Sequence, residues 1–300
     1  MKAPGWTLTI AVAATVGVQA ARPATQGTAS TPRSVNELLQ TARRQVQAGD
    51  APGALESPRG ARTLAPNSEE VLSAIAQVAL AARLLVPAIT TLDALTRICS
   101  TVPQYHYLLG VALMEAGDMA AAVESLRQAD RLAPERALTL TALGLAQNSR
   151  KQYDDARRAL MHALDLEPEN VDALAALAEA ESGVGELAQA EEHAQRALAR
   201  FEAHPTANLV MGIVLMKRER YAEARDALNK AIAANPASPA AHYQLSLAYA
   251  RLGDDANARQ HVEAYQQKLH EAEERLKTVR AATSGERPRL HASLSLCSVP

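Results

Sequence analysis

Aromatic residues are scarce in this chain of 300 residues: they make up 3% of it, with a single tryptophan and a single phenylalanine. Hydrophobic residues nevertheless make up 48%. The core must therefore be built from small and aliphatic side chains. Together with only 14 glycines, this composition favours closely packed helices.

An excess of positive charge is also missing. The chain has 31 basic and 33 acidic residues, a net charge of −2, and no run of lysine or arginine. A nucleic-acid-binding surface needs a basic patch that offsets phosphate charge. We therefore expect no nucleic-acid partner.

Patterns typical of catalytic and cofactor sites are absent too. The eight histidines are dispersed without a His-Glu-x-x-His motif. The sequence has no glycine-rich phosphate loop, no nucleophile elbow and no Cys-x-x-Cys. We predict that the protein is not an enzyme, that it holds no cofactor and no metal, and that most of its histidines lie on solvated helix faces.

Only two cysteines occur, Cys99 and Cys297. In an oxidising compartment they could form a disulfide. The alternative is a half-buried thiol at Cys99, near a helix end, and a free thiol at Cys297. The sequence leaves both open.

What the sequence does contain is a regular spacing. Alanine recurs every 34 residues without exception, at Ala54, Ala88, Ala122, Ala156, Ala190, Ala224 and Ala258. A fixed period of this length is typical of a solenoid built from helix pairs. Because a lone helix pair cannot bury its apolar face, each repeat depends on its neighbours.

Other positions keep the same period. Twelve residues before each alanine stands a small residue, at Ala42, Ala76, Gly110, Gly144, Ala178, Gly212 and Ser246. Four residues after the alanine, leucine recurs at Leu92, Leu126, Leu160 and Leu228. Twelve residues after the alanine, a closing proline recurs at Pro66, Pro134, Pro168 and Pro236. Small residues let the two helices of a repeat approach closely. Gly117-Asp118 and Gly253-Asp254 predict a left-handed helix end followed by an N-cap.

This pattern resembles the tetratricopeptide repeat family over residues 35 to about 272, as seven repeats without insertion. The resemblance implies an all-α fold, a right-handed solenoid of about seven helix-turn-helix repeats with a C-terminal capping helix. We place the solenoid and its cap at residues 35–283, because the mostly polar segment 266–280 suits a terminal cap. Residues 284–300 are predicted to be disordered. The second helix of repeat one is predicted to be weak, because Gly53, Pro58 and Gly60 interrupt it.

The amino terminus reads as a targeting signal. Lys2 precedes an apolar stretch from Leu8 to Val18, and Val18-Gln19-Ala20 is a small-x-small cleavage site. We predict a signal peptide at residues 1–21, a disordered linker at 22–34, and a periplasmic or secreted protein without a membrane span after cleavage. The alternative is an uncleaved inner-membrane anchor, which also places the repeats outside the cytoplasm.

In the family, the first helix of each repeat lines a concave groove, and its second, fifth, ninth and twelfth residues face the ligand. The resemblance therefore implies a largely apolar groove with an acidic stretch at Asp172 and Glu179. Its expected peptide-binding residues are Tyr107, Val111, Met114, Leu145, Asn148, Leu209, Ile213, Met216, Tyr243 and Leu247. The alternative is that these residues only pack neighbouring helices together.

The function implied is a non-catalytic scaffold or assembly factor whose groove binds a peptide or helix of a partner protein. Two alternatives stay open. One is an accessory subunit that recruits substrates to a separate envelope enzyme, and the other is a self-assembling structural protein. The lysine and asparagine pair with which co-chaperone members grip a peptide carboxylate is missing, so a terminal-carboxylate clamp is not supported.

Overall fold

The computed structural model describes residues 35–48, 50, 53, 56 and 68–285. In these residues the chain forms α-helices and no strand. The helices are α1 (Val35–Gln47), α2 (Glu69–Ala81), α3 (Leu85–Ile98), α4 (Pro103–Ala116), α5 (Met119–Leu132), α6 (Ala137–Ser149), α7 (Tyr153–Leu166), α8 (Val171–Val184), α9 (Leu187–Arg200), α10 (Pro205–Lys217), α11 (Tyr221–Ala234), α12 (Pro239–Arg251) and α13 (Asp255–Gly285).

Several predicted features lie outside the described residues. They are the signal peptide at 1–21, the linker at 22–34, Ala54, Pro58, Gly60, and residues 286–300 with Cys297. The C-terminal boundary shifts slightly, because α13 continues through Gly285 rather than ending at residue 283. Cys99 is fully buried rather than half-buried, and it is disulfide-bonded.

Repeats two to seven are each a helix pair, and the pairs stack in chain order. We call the first helix of a repeat its A helix and the second its B helix, so that α4 and α5 are the A and B helices of repeat three. The 34-residue alanines of repeats two to seven stand on the B helices, and those of repeats two to six have no exposed surface. The predicted close contact is confirmed: a β-carbon added to Gly144 would lie 2.4 Å from Leu160 Cγ, and Gly110 and Gly212 meet Leu126 and Leu228 in the same way.

The turns between A and B helices behave as predicted where glycine is present. Gly117 has φ +89° and Gly253 has φ +77°, and each ends its A helix in the left-handed conformation. The Asp118 side chain then accepts a hydrogen bond from the Ala121 N–H and so caps α5. Repeats two, four and six lack this glycine and force a residue with a side chain into the same conformation, at Arg83, Lys151 and Glu219.

The solenoid curves with its A helices inside. Each A helix of repeats three to six contacts the A helix of the next repeat, and it also contacts the B helix of its own repeat. In the described part of the chain, neighbouring B helices make no comparable contact. Helices that are closer together on one side of a stack make that side concave, so the A helices line the inner face.

The last helix contains the predicted capping segment. It continues from the second helix of repeat seven as one helix of 31 residues, α13, which contacts α3 and α4. Val279 is buried there in a cluster with Leu113 and Ala116 of repeat three. The physical reason is that α13 places Leu276 and Val279 one turn apart, which provides an apolar surface that only the distant repeats cover.

Candidate functional site

The predicted groove residues all lie on A helices, but they differ in how far they reach solvent. Tyr243 is 44% exposed and Leu247 is 38% exposed. Met114, Leu209, Ile213 and Met216 are partly exposed. The expectation of a solvent-facing row is wrong for the four members that are buried, namely Tyr107, Val111, Leu145 and Asn148.

The burial of these four follows from the close approach of neighbouring A helices. Tyr107 and Val111 belong to one apolar cluster with residues of repeats two to four. Leu145 packs with the A helix of repeat five. The packing alternative therefore describes the amino-terminal part of the row, and the accessible apolar part lies toward repeats six and seven.

A polar centre interrupts the apolar row at repeats four and five. Asn148 donates an amide hydrogen bond to the Ala176 carbonyl at 2.7 Å, and its Nδ2 lies 3.5 Å from Glu179 Oε2. Its Oδ1 is buried and has no hydrogen-bond partner in the described structure. Burial raises the pKa of Glu179 to about 7, so this carboxyl group can hold a proton near neutral pH.

Burial also raises the pKa values of two tyrosines on the same repeats or next to them. Burial raises the pKa of Tyr107 to about 12, and its hydroxyl has no partner in the described structure. Burial also raises the pKa of Tyr153, with a further contribution from the negative charge of Glu179. A buried hydroxyl without a hydrogen-bond partner lowers the stability of the folded state. The buried polar groups of this stretch therefore stabilise the solenoid less than its apolar contacts do.

Two of the described histidines are buried instead of lying on a solvated helix face. His204 is buried as the N-cap of α10, where its ring accepts from the Ala207 N–H and lies 3.1 Å from Asp172. His242 is buried with its Nδ1 3.0 Å from His261 Nδ1. Both are in the turn or first turn of an A helix, where a short polar ring satisfies backbone groups. Among the described residues, no three histidine, cysteine, aspartate or glutamate side chains come together as a metal site would require.

The outer face carries ion pairs between consecutive B-helix segments. Arg127 lies 3.5 Å from Asp155, and Arg157 lies 2.8 Å from Glu186. Because each pair joins one repeat to the next, these arginines are part of the stack rather than isolated solvated charges.

Comparison with known proteins agrees with this architecture. Residues 103–136, 180–239 and 209–269 match tetratricopeptide repeat family models. A tetratricopeptide repeat protein from Parabacteroides merdae is similar in structure, with a TM-score of 0.66 at 16% identity, over 82% of this chain and 99% of that one. PilW, described as a widely conserved type IV pilus biogenesis factor, gives a TM-score of 0.56 at 17% identity over 72% and 99%. MamA gives 0.52 at 23% over 57% and 94%. No curated protein matches the sequence.

Among the described helices, none combines the length and the apolar character that crossing a membrane requires. The 34-residue spacing, the stacked helix pairs and the family-model matches agree with one another. The chain is a tetratricopeptide repeat protein.

Proposed function

We propose that this protein is a non-catalytic scaffold that binds a partner protein through the inner face of its solenoid. Tetratricopeptide repeat solenoids in general serve protein–protein interaction, and the similar structures include PilW, a type IV pilus biogenesis factor. The observation that carries the proposal is the uneven exposure of the A-helix row, because its apolar members become accessible in repeats six and seven.

The binding surface we propose consists of Leu209, Ile213 and Met216 in repeat six, with Tyr243 and Leu247 in repeat seven. Exposed apolar side chains grouped on one face mark an interaction surface more often than chance exposure does. Methionine adapts to irregular contacts, and a tyrosine supplies area at a low entropy cost. Such a surface suits an amphipathic helix or an extended apolar segment.

We further propose that the chain is exported and acts outside the cytoplasm. The motive is the sequence of residues 1–21, with its positive start, apolar stretch and small-x-small site. The partner would then be an envelope or secreted protein.

Affinity capture from envelope extract tests the inner face. The bait is the full chain without residues 1–21, compared with a Tyr243→Asp/Leu247→Asp variant. The matched control is Met161→Asp/Leu166→Asp, because these two side chains are also exposed but lie on the B helix α7. We expect the inner-face variant to lose the captured protein by tenfold or more and the control to retain it, with both helical by circular dichroism.

The reverse pattern, in which the control loses the captured protein, would contradict the proposal. The accessory-subunit alternative predicts that the captured protein has an enzymatic activity that survives elution. Self-assembly predicts instead that light scattering of the purified chain reports a multiple of 31.9 kDa less the mass of the removed residues.

A further inference from the structure

One position of the B helix shows that repeat seven ends in an uncovered groove. The eighth residue of that helix has no exposed surface in five consecutive repeats, at Leu92, Leu126, Leu160, Ala194 and Leu228. The equivalent residue of repeat seven, Val262, is 40% exposed. In the internal repeats the next A helix covers this position, whereas α13 runs on past it and leaves it open.

The open groove lies between α12 and α13 and has a volume of about 480 Å³. Ser246, Leu247 and Ala250 of α12 form one wall, and Ala258 and Val262 of α13 form the other. Only Leu247 is shared with the inner-face surface described above. The Arg259 and Glu263 side chains also line the groove.

We propose that this terminal groove binds an amphipathic helix of another protein, in the way that each internal repeat receives the A helix that follows it. The chemistry of that helix can be derived from the internal precedents. Ala173 and Ala180 of α8 pack against Ala156, Leu160 and Ala163 of α7. Ala207 and Val214 of α10 likewise pack against the alanines of α9. The expected partner helix therefore presents small residues seven positions apart.

A second copy of this chain fits the groove poorly. Its first A helix is α1, which carries Glu37 and Arg44 at the positions where α8 carries Ala173 and Ala180. Both charged side chains are exposed in α1. Even if Arg259 and Glu263 of the groove paired with them, both charges would lose their hydration beside Ala258 and Val262, a cost that small residues at these positions do not carry.

A stapled, fluorescein-labelled peptide with the sequence of residues 171–184 is the probe, with light scattering of the full chain run beforehand. We expect a monomer that binds the peptide saturably in fluorescence polarisation. Val262→Arg and Ala250→Glu, which alter opposite walls, should each weaken binding at least tenfold. Met161→Arg on α7 and Ile213→Arg on the inner face should change it less than twofold.

The inner-face control separates this proposal from the scaffold function, because Ile213→Arg should reduce capture of the envelope partner while leaving the peptide bound. The proposal is overturned by an absence of saturable binding, or by binding that both wall variants retain. It is also overturned by a dimer that Val262→Arg dissociates, because a second copy would then cover the groove.

Discussion

Arg280 and Asp118 stand 162 positions apart in the sequence and form a two-bonded ion pair, with Nε donating to Oδ2 at 2.9 Å and Nη2 donating to Oδ1 at 3.0 Å. The contact joins the end of α13 to the turn between the two helices of repeat three. Together with the buried Val279 it ties repeat seven to repeats two and three. The Arg280 guanidinium holds the pKa of Asp118 below its ordinary value, so the pair stays ionised at neutral pH.

We expect Arg280→Ala to release the end of α13 while leaving the repeats folded. The Arg280 side chain is 58% exposed, so the loss of global stability should be small. Hydrogen exchange of residues 276–285 should become at least tenfold faster. Lys277→Ala is the control, because Lys277 pairs with Glu274 inside α13 itself. Unchanged exchange in Arg280→Ala would mean that Val279 alone holds the helix end.

Close contact between the two helices of a repeat predicts the effect of adding one carbon. We expect Gly144→Ala to destabilise the protein by about 1–2 kcal/mol, because the clash with Leu160 exceeds the helix-propensity gain of about 1 kcal/mol. A urea melt measures the change. Repeat five carries the pair Ala178 and Ala194 at these positions, so Gly144→Ala/Leu160→Ala should lose less stability than the sum of its single variants. Strict additivity would show that the two side chains do not touch.

Strain in the turn of repeat four predicts a stabilising substitution. Lys151 has φ +58°, a conformation that costs a residue with a β-carbon about 1–2 kcal/mol. Lys151→Gly should therefore raise stability by about 0.5–1 kcal/mol after the entropy loss of glycine is deducted. Differential scanning calorimetry should show a higher Tm for Lys151→Gly and no rise in Tm for Lys151→Ala. An equal gain in both variants would assign the effect to the lysine charge.

The raised pKa of Glu179 makes stability depend on pH. Burial raises this pKa from 4.5 to about 7, so between these values the folded state holds a proton that the unfolded state has released. Stability from this group is therefore present below about pH 4.5 and lost as pH rises through 7. We expect Glu179→Gln to stabilise the protein by about 1–2 kcal/mol at pH 8 and to change little at pH 4.5. Glu192→Gln on α9, an exposed position, is the matched control for removing one glutamate charge.

The proposed export predicts a processed amino terminus. We expect amino-terminal sequencing of the exported protein to begin near Arg22. Because Trp6 is the only tryptophan, the processed chain should lack indole fluorescence under 295 nm excitation. A sequence that begins at Met1 would instead support the uncleaved anchor.

The inner-face residues show how far sequence reasoning reaches at the site. The 34-residue frame placed Tyr107 and Tyr243 at the same position of their A helices, and both do stand there. Yet Tyr107 is buried and Tyr243 is exposed, because Tyr107 packs in the apolar cluster of repeats two to four. The 34-residue frame contains no information about which side chains surround each position. The sequence shows that Glu179 is acidic, but its raised pKa comes from burial in the folded protein. Burial depends on the neighbouring helices and cannot be read from the residue type.

The sequence by itself determined the helix pairs of repeats two to seven and their close contact at Gly110, Gly144 and Gly212, because these depend on small residues at fixed local spacing. It also determined the left-handed turns at Gly117 and Gly253. Only the tertiary structure decided where α13 goes. Its path depends on the contact of Val279 and Arg280 with repeat three, and that contact joins residues too distant in sequence for any periodic pattern to relate them. The uncovered groove at Val262 is a direct consequence of that path.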